Sequence, residues 1–433
     1  MRLYVDGDKI ITPNTVFTLY FTLMFCLYTN TYVQLIAQVM LIAYVLMPLL
    51  KRGYVRKSEI SNLPFYIGWY GAFTVLMFLS RGWAYSVYSG SKTLITVFRI
   101  CIMGFVIFIY ANSKERVISI MQSFIIACSV MGVMALFTTI LSGGTIGTTS
   151  FGVAIGQHRN QIGAVAAPLS VLCAYLKKYW NMKYGNLLCV YFLFLTVCTG
   201  SRTSILQIIV IYAICILLEK DAKVAIKKIA LAVLGMIVVV VLVQSIPYLY
   251  DMIWLRIENA INTVLGKDSS DTSAMGRDFY KAIAFIMFKQ KPWIGYGVDG
   301  FVCFLRDHPT IMGVYMKPVY SHCNYSELAA DFGIVGLLLW YIPIVRIFYW
   351  GWQTKSSGYI EGCIYAIFVS IVIVIFIIKC MPVWNVTSYL SWLIYAVVVG
   401  MITMFVIGAS SFLFYRSEIS LLSQKVKNAL KRR

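Results

Sequence analysis

Charge is scarce in this chain. Only 12% of its 433 residues are Asp, Glu, Lys or Arg, about half the roughly 25% of a soluble domain. That excludes an ordinary soluble globular protein. Histidine is scarcer still: there are three, with no tight Cys/His/Asp spacing around them, so no metal site is expected. The 11 cysteines are scattered, mostly inside apolar runs, without a Cys-x-x-Cys pair. They read as small buried hydrophobes. Cys303 and Cys323 share one polar stretch, and two cysteines alone neither require nor exclude a bridge. Internal repeats, low-complexity segments and a separable soluble domain are all lacking. The net charge of +20 comes with no RNA- or DNA-binding motif, so nucleic acid is not an expected partner.

What is present is apolar sequence in long runs, 60% hydrophobic and 15% aromatic overall. Crossing a hydrocarbon core takes about 20 apolar residues at about 1.5 Å each. The backbone must satisfy its own hydrogen bonds there, which favours helices, and the runs are too unbroken for a membrane β-barrel. Spans are expected near 15–31, 32–50, 63–80, 93–111, 117–141, 162–176, 185–200, 203–219, 226–246, 332–351, 360–379 and 388–414. The fold class is therefore an all-α integral membrane protein of about twelve transmembrane helices. Four regions follow: an N-terminal bundle over 1–246, a large loop over 247–331, C-terminal spans over 332–414 and a basic tail over 415–433. The first run carries Asp6 and Asp8 before it and no small-residue cleavage site after it. It reads as a retained span.

Orientation follows from the basic residues. One set of short loops with the tail holds 23 Lys and Arg, whereas the opposite loops hold five: Arg81, Lys92, Arg159, Arg202 and Lys379. Positive charge marks the cytoplasmic side, so both termini are expected inside and the 247–331 loop outside. From Asp251 to Asp331 that loop carries nine carboxylates and eight Lys or Arg, a balance expected of a folded subdomain. Within it, Phe279, Ala282, Ile283, Ile286 and Met287 recur at helical spacing. They predict an amphipathic helix over 276–290 with Arg277 at its start and Pro292 ending it.

Chemistry-bearing residues gather on the expected outer side. Arg202 lies in the tight turn Thr199-Gly200-Ser201-Arg202. It reads either as a headgroup-snorkelling arginine or as a functional one, since membrane-level charge is functional by default. Arg277 reads equally as a solvated loop residue. With Arg159, in Gln157-His158-Arg159-Asn160-Gln161, they suggest a cationic pocket suited to a lipid-linked pyrophosphate, because guanidinium forks bind phosphate oxygens bidentately. Arg99, inside a span, either serves this site or snorkels. His322, in Ser321-His322-Cys323-Asn324-Tyr325-Ser326-Glu327, has the pKa range of a general base; His158 and His308 are weaker candidates. Asp331 either orients a partner or caps a helix beginning at Phe332.

These pieces resemble the bacterial O-antigen ligase and O-antigen polymerase superfamily. Gly200-Ser201-Arg202-Thr203 is similar to its Ser-Arg-Thr turn. Arg277 followed by Pro292-x-x-Gly295-x-Gly297 and Gly300-Phe301 is similar to its arginine and P-x-x-G-x-G segment. His322 through Gly333-Ile334-Val335-Gly336 is similar to its His-Asn block. Here Cys323 stands where the family has Asn, with Asn324 next. The resemblance implies a glycosyltransferase-C-like membrane enzyme, without metal or other cofactor, working on undecaprenyl-pyrophosphate-linked oligosaccharides at the outer face of the bacterial cytoplasmic membrane. It implies inverting transfer with His322, Arg277 and Arg202 as catalytic residues. Arg159, Gly295, Gly297 and Asn324 are the implied substrate-binding positions. Membrane lipid is an expected partner, as are a flippase and a chain-length regulator of the same pathway. A polymerase is the favoured member, with a ligase to lipid A-core as the alternative. A lipid-linked sugar transporter is the reading from another class; transporters of this size show paired repeats and broken helices.

Overall fold

The structure is a computed structural model describing residues 4–6, 9–27, 29–55, 63–86, 90–180, 182–217, 222–245, 272–311, 314–321 and 323–354, with 250, 254 and 258. It is helical almost throughout. A small hairpin comes first, β1 (Tyr4–Asp6) against β2 (Lys9–Ile11). The bundle follows as α1 (Thr15–Cys26), α2 (Thr31–Arg52), α3 (Leu63–Tyr66), α4 (Ala72–Leu79), α5 (Ser91–Tyr110) and α6 (Lys114–Leu141), then α7 (Arg159–Trp180), α8 (Gly185–Cys198), α9 (Arg202–Leu217) and α10 (Ala222–Ser245). After it come α11 (Thr272–Gln290), the short α12 (Gly300–Asp307), a hairpin of β3 (Thr310–Ile311) and β4 (Val314–Tyr315), and α13 (Asn324–Thr354). The two hairpins are the departures from an all-α expectation.

Local chemistry sets the helix starts. The side chain of Asn14 accepts from the amides of Val16 and Phe17 at the head of α1, and Asn30 does the same for Tyr32 and Val33 at the head of α2. Such caps satisfy amides that have no partner inside the helix. The core is aromatic where α1 meets α6: Phe21 and Phe25 stand edge-on to Phe124, with ring centroids at 5.4 and 5.6 Å. Phe17, Tyr20, Phe21 and Phe25 are all completely buried. Arg99, half-buried on α5, donates from Nε to Gln38 Oε1 of α2 at 3.0 Å.

Large apolar side chains such as Leu35, Ile36 and Val39 on α2 and Val133, Phe137 and Ile140 on α6 are exposed. In water such patches demand a partner; against hydrocarbon they need none. Among the described residues four helical segments are long and apolar enough to cross a membrane: Thr31–Arg52, Ser91–Tyr110, Glu115–Leu141 and Tyr325–Ile342. Two other apolar helices, Thr15–Cys26 and Gly185–Cys198, are shorter. At 12 residues, α1 rises only about 18 Å against a core of about 30 Å. The count of twelve spans is thus not reproduced. Expected spans 360–379 and 388–414 lie outside the described residues.

Two boundaries are corrected. The span expected over 162–176 runs from Arg159 to Trp180. That expected to begin near Phe332 begins at Asn324 and is interrupted at Gly333. Cys303 and Cys323 are buried free thiols.

Candidate functional site

The interruption in α13 organises the surrounding loop. Gly333 has φ 59° and ψ −156°, a conformation essentially restricted to glycine. It divides the helix into Asn324–Phe332 and a second segment from Ile334. Each side of such a break leaves backbone groups without helical partners. The Pro292–Gly297 turn supplies them. Ile334 N donates to Pro292 O at 2.8 Å and Val335 N to Trp293 O at 3.2 Å, while Tyr296 N donates to Ala330 O at 2.9 Å and Gly297 N to Asp331 O at 2.7 Å. The turn and the broken helix are stitched by four backbone hydrogen bonds.

The other side of the turn is held as closely. Tyr85 N donates to Tyr296 O at 2.7 Å, Trp83 Nε1 to Ile294 O at 3.2 Å and Val298 N to Ser80 Oγ at 3.1 Å. The turn is therefore clamped between the α4–α5 connection and α13. The two glycines expected to touch substrate explain themselves by this packing. A Cβ on Gly295 would lie 2.5 Å from Asp331 O, and one on Gly297 would lie 2.5 Å from Ala84 Cα and 2.7 Å from Ser80 O.

Buried carboxylates complete the arrangement. Asp331 is fully buried, and its Oδ1 accepts from Phe301 N at 2.7 Å. It does cap a helix, but α12 and not the one expected to begin at Phe332, which is already under way at that point. Its Oδ2 has no hydrogen-bond partner among the described residues. Glu327, one turn earlier and also fully buried, accepts at Oε2 from Ser321 N at 2.9 Å and Ser321 Oγ at 3.0 Å. Asp299 precedes α12 with φ 54° and accepts from Thr93 Oγ1 at 2.9 Å. Burial raises its carboxyl above the usual carboxylate range, opposed by the hydrogen bonds from Thr93 and Gly90. Glu327, Asp299 and Thr93 were not anticipated as contributors; the i, i+4 spacing of Glu327 and Asp331 was the available signal.

The amphipathic helix exists as α11, but it begins at Thr272, so Arg277 lies in its second turn and not at its start. Pro292 does follow its end at Gln290. Its buried side is Ile283, Ala284 and Met287, in a small core with Phe301, Leu305, Met316 and Ala330. Ala282 and Ile286, expected inward, are exposed. Arg202 is the first residue of α9 and Asn324 the first of α13. His322 lies outside the described residues.

Arg159 opens α7 and donates from Nη1 to Gly147 O at 2.7 Å. Gly147 N in turn donates to Cys198 O at 2.8 Å, at the end of α8 and just before the turn that launches α9 at Arg202. Arg159 is thus tied through Gly147 to the end of α8, three residues before Ser201. They share an end of the bundle with the stitched turn. Ala111–Ser113, between α5 and α6, leaves room only for a reversal, so the start of α5 at Ser91 and the end of α6 at Leu141 lie on one side. His158 is exposed, and its Nδ1 accepts from Asn160 N at 3.2 Å. His308 stacks on Phe304 with centroids 4.6 Å apart. Both rings have local structural partners.

No curated protein matches the chain. Residues 187–341 match the family model described as O-antigen ligase, a stretch from α8 to within α13 that contains Arg202, Arg277, the stitched turn, His322 and Asp331, and leaves Arg159 outside. That match supports the O-antigen ligase/polymerase superfamily for this stretch of a helical chain whose described helices include four long and apolar enough to cross a membrane.

Proposed function

We propose that this protein is a polymerase that joins undecaprenyl-pyrophosphate-linked oligosaccharides into a surface polysaccharide, an O-antigen, capsule or exopolysaccharide. The observation that carries the reading is the O-antigen ligase match over 187–341, which contains all three proposed catalytic residues. The end of the bundle bearing Arg159, the start of α9 and the stitched turn faces outward in the cytoplasmic membrane, with both chain termini inside, in keeping with the distribution of Lys and Arg. The four regions 1–246, 247–331, 332–414 and 415–433 are retained as the proposed organisation.

In the proposed reaction an acceptor hydroxyl oxygen attacks the anomeric carbon of the donor sugar from the face opposite the pyrophosphate. The new C–O bond forms as the old one breaks, and the electron pair leaves with undecaprenyl pyrophosphate. His322 takes the hydroxyl proton. Arg202 and Arg277 hold the pyrophosphate and stabilise its developing charge. Arg159, linked through Gly147 to the end of α8 just before Arg202, adds a third guanidinium at the donor. Asn324, Gly295 and Gly297 are the further substrate-binding positions, the glycines through the close packing of their turn.

One observation favours a second reading: the matched family is described as a ligase, so transfer of a finished chain to lipid A-core stands as the alternative. The transport reading loses support from α13. Transporters leave the ends of broken helices open to substrate, and here the turn occupies them.

The test is reconstitution in liposomes with the lipid-linked repeat unit of the host strain, with and without lipid A-core. A ladder formed without lipid A-core is expected, and Arg277→Ala protein at normal level should make none. A single product appearing only with lipid A-core would replace polymerase by ligase. Near-normal product from Arg277→Ala would refute the pyrophosphate role.

A further inference from the structure

The end of the bundle opposite the candidate site carries a cleft lined by two arginines. It lies where α2 ends, α5 ends and α6 begins, and it measures about 200 Å³. Pockets for drug-sized ligands run to roughly 300–1,000 Å³, so it is too small for a glycan and of a size for a headgroup. Two guanidiniums, Arg52 and Arg116, and two phenols, Tyr44 and Tyr110, line it together with apolar Val45 and Leu49.

The polar groups are held in place. Asn14 Nδ2 donates to Tyr44 Oη at 2.7 Å and to Tyr110 Oη at 2.9 Å, fixing both phenols from the head of α1. Arg52 Nε donates to Pro48 O at 3.3 Å, which fastens one edge of its fork to the last turn of α2. Arg116 Nη1 donates to Tyr110 O at 3.4 Å and Asn112 Oδ1 at 3.2 Å. Its guanidinium carbon stands 5.0 Å from the centre of the Tyr110 ring. Lys51 is next in sequence to Arg52. The cleft thus has a cationic rim, a hydroxyl floor and an apolar wall formed by helices that face hydrocarbon.

We propose that this cleft binds the phosphodiester headgroup of an anionic membrane phospholipid. The charge selects the anion, since guanidinium groups pair with phosphate oxygens. The aliphatic wall selects the lipid: a headgroup phosphate arrives with acyl chains that Pro48 and Leu49 cover, whereas free phosphate gains nothing from them. Basic clefts between membrane helices are suited to such headgroups. In the proposed orientation the bound lipid belongs to the cytoplasmic leaflet, on the far side of the membrane from the glycan chemistry. Binding is therefore measured without any activity readout, and its failure is separable from failure of the proposed reaction.

The experiment uses the full chain in neutral detergent, titrated with phosphatidylglycerol or phosphatidylcholine and observed by native mass spectrometry. Wild-type protein is expected to retain phosphatidylglycerol in preference. Each basic residue near a membrane surface is worth about fivefold in attraction to anionic lipid, so Arg52→Gln with Arg116→Gln should weaken retention roughly 30-fold. Lys183→Gln, at another short loop, should leave it unchanged. Equal retention by the double variant, or of the two lipids, overturns the proposal. Displacement of the lipid by inorganic phosphate would reassign the site to a free anion. A wild-type readout guards against misfolding of the variant: photoreactive phosphatidylglycerol should crosslink within 44–52 and 109–116, and crosslinks spread evenly over the helices would also overturn it.

Discussion

Replacing Gly333 with alanine tests the stitched helix directly. Two costs follow from its place in the structure. The backbone sits at φ 59° and ψ −156°, where a residue with a Cβ loses about 1–3 kcal/mol. The added Cβ would also overlap the carbonyl of Trp293 and lie 2.5 Å from Pro292 O. These are backbone atoms and cannot rotate aside, so relief requires the turn to move, at about 1–3 kcal/mol for overpacking. Together the penalty is roughly 4 kcal/mol. It falls on the two carbonyls that accept from Ile334 and Val335, and so on the stitch itself.

A local penalty of that size raises the open population of the turn by about three orders of magnitude. Trypsin reads it, because cleavage follows the open population when opening and closing are fast. Lys289 and Arg306 flank the turn, and neither precedes a proline. Gly333→Ala protein in nanodiscs should be cut at these residues up to about a thousandfold faster than wild type. Gly235→Ala is the control, since nothing lies within 4 Å of a Cβ there, and an exposed helical alanine is favoured over glycine by about 1 kcal/mol. Wild-type cleavage rates in Gly333→Ala would refute the stitch.

The carboxylates give two further predictions. Asp331→Ala removes the acceptor for the buried Phe301 amide, whereas Asp331→Asn keeps an oxygen there; alanine should cost about 1–3 kcal/mol more than asparagine in unfolding followed by tryptophan fluorescence, and equal loss would refute the cap. Asp299 has a folded pKa raised by burial, so its contribution is fullest below the unfolded value near 4 and declines as pH rises through the folded one. Asp299→Asn, neutral and tolerant of positive φ, should flatten that decline, measured as the denaturant midpoint of unfolding from pH 4 upward. An unchanged slope in Asp299→Asn would remove Asp299 as its source.

Much of this was legible in local sequence, and the rest was not for a definable reason. Apolar runs located the bundle helices because hydrocarbon selects length and composition together. Pro292 marked the end of α11 because a proline constrains its own backbone. The head of α13 was misread as loop because Ser326, Glu327 and Asp331 look solvent-seeking; their partners, Ser321 and the Phe301 amide, are set by tertiary structure. A helix start was expected at Phe332, where the structure has a break at Gly333 inside a helix already under way. Gly295 and Gly297 stood out as a motif, while the reason no Cβ is tolerated appeared only with Asp331 and Ala84 beside them.

The stitch bears on the proposed chemistry through the helices it joins. Arg277 lies on α11, which runs directly into the turn at Pro292, and α11 packs against α13. His322 stands two residues before α13, whose first segment ends at the break. In the proposed mechanism one of these residues holds the leaving pyrophosphate and the other takes the proton, and glycosyl transfer depends steeply on keeping such groups in register. Four backbone hydrogen bonds, a clamp from the α4–α5 connection and a buried carboxylate fix the two helices without using any side chain proposed for catalysis. On that argument the glycines of the turn matter to the reaction by holding the two carriers together, and substitutions there should lower kcat far more than they weaken donor binding at Arg202.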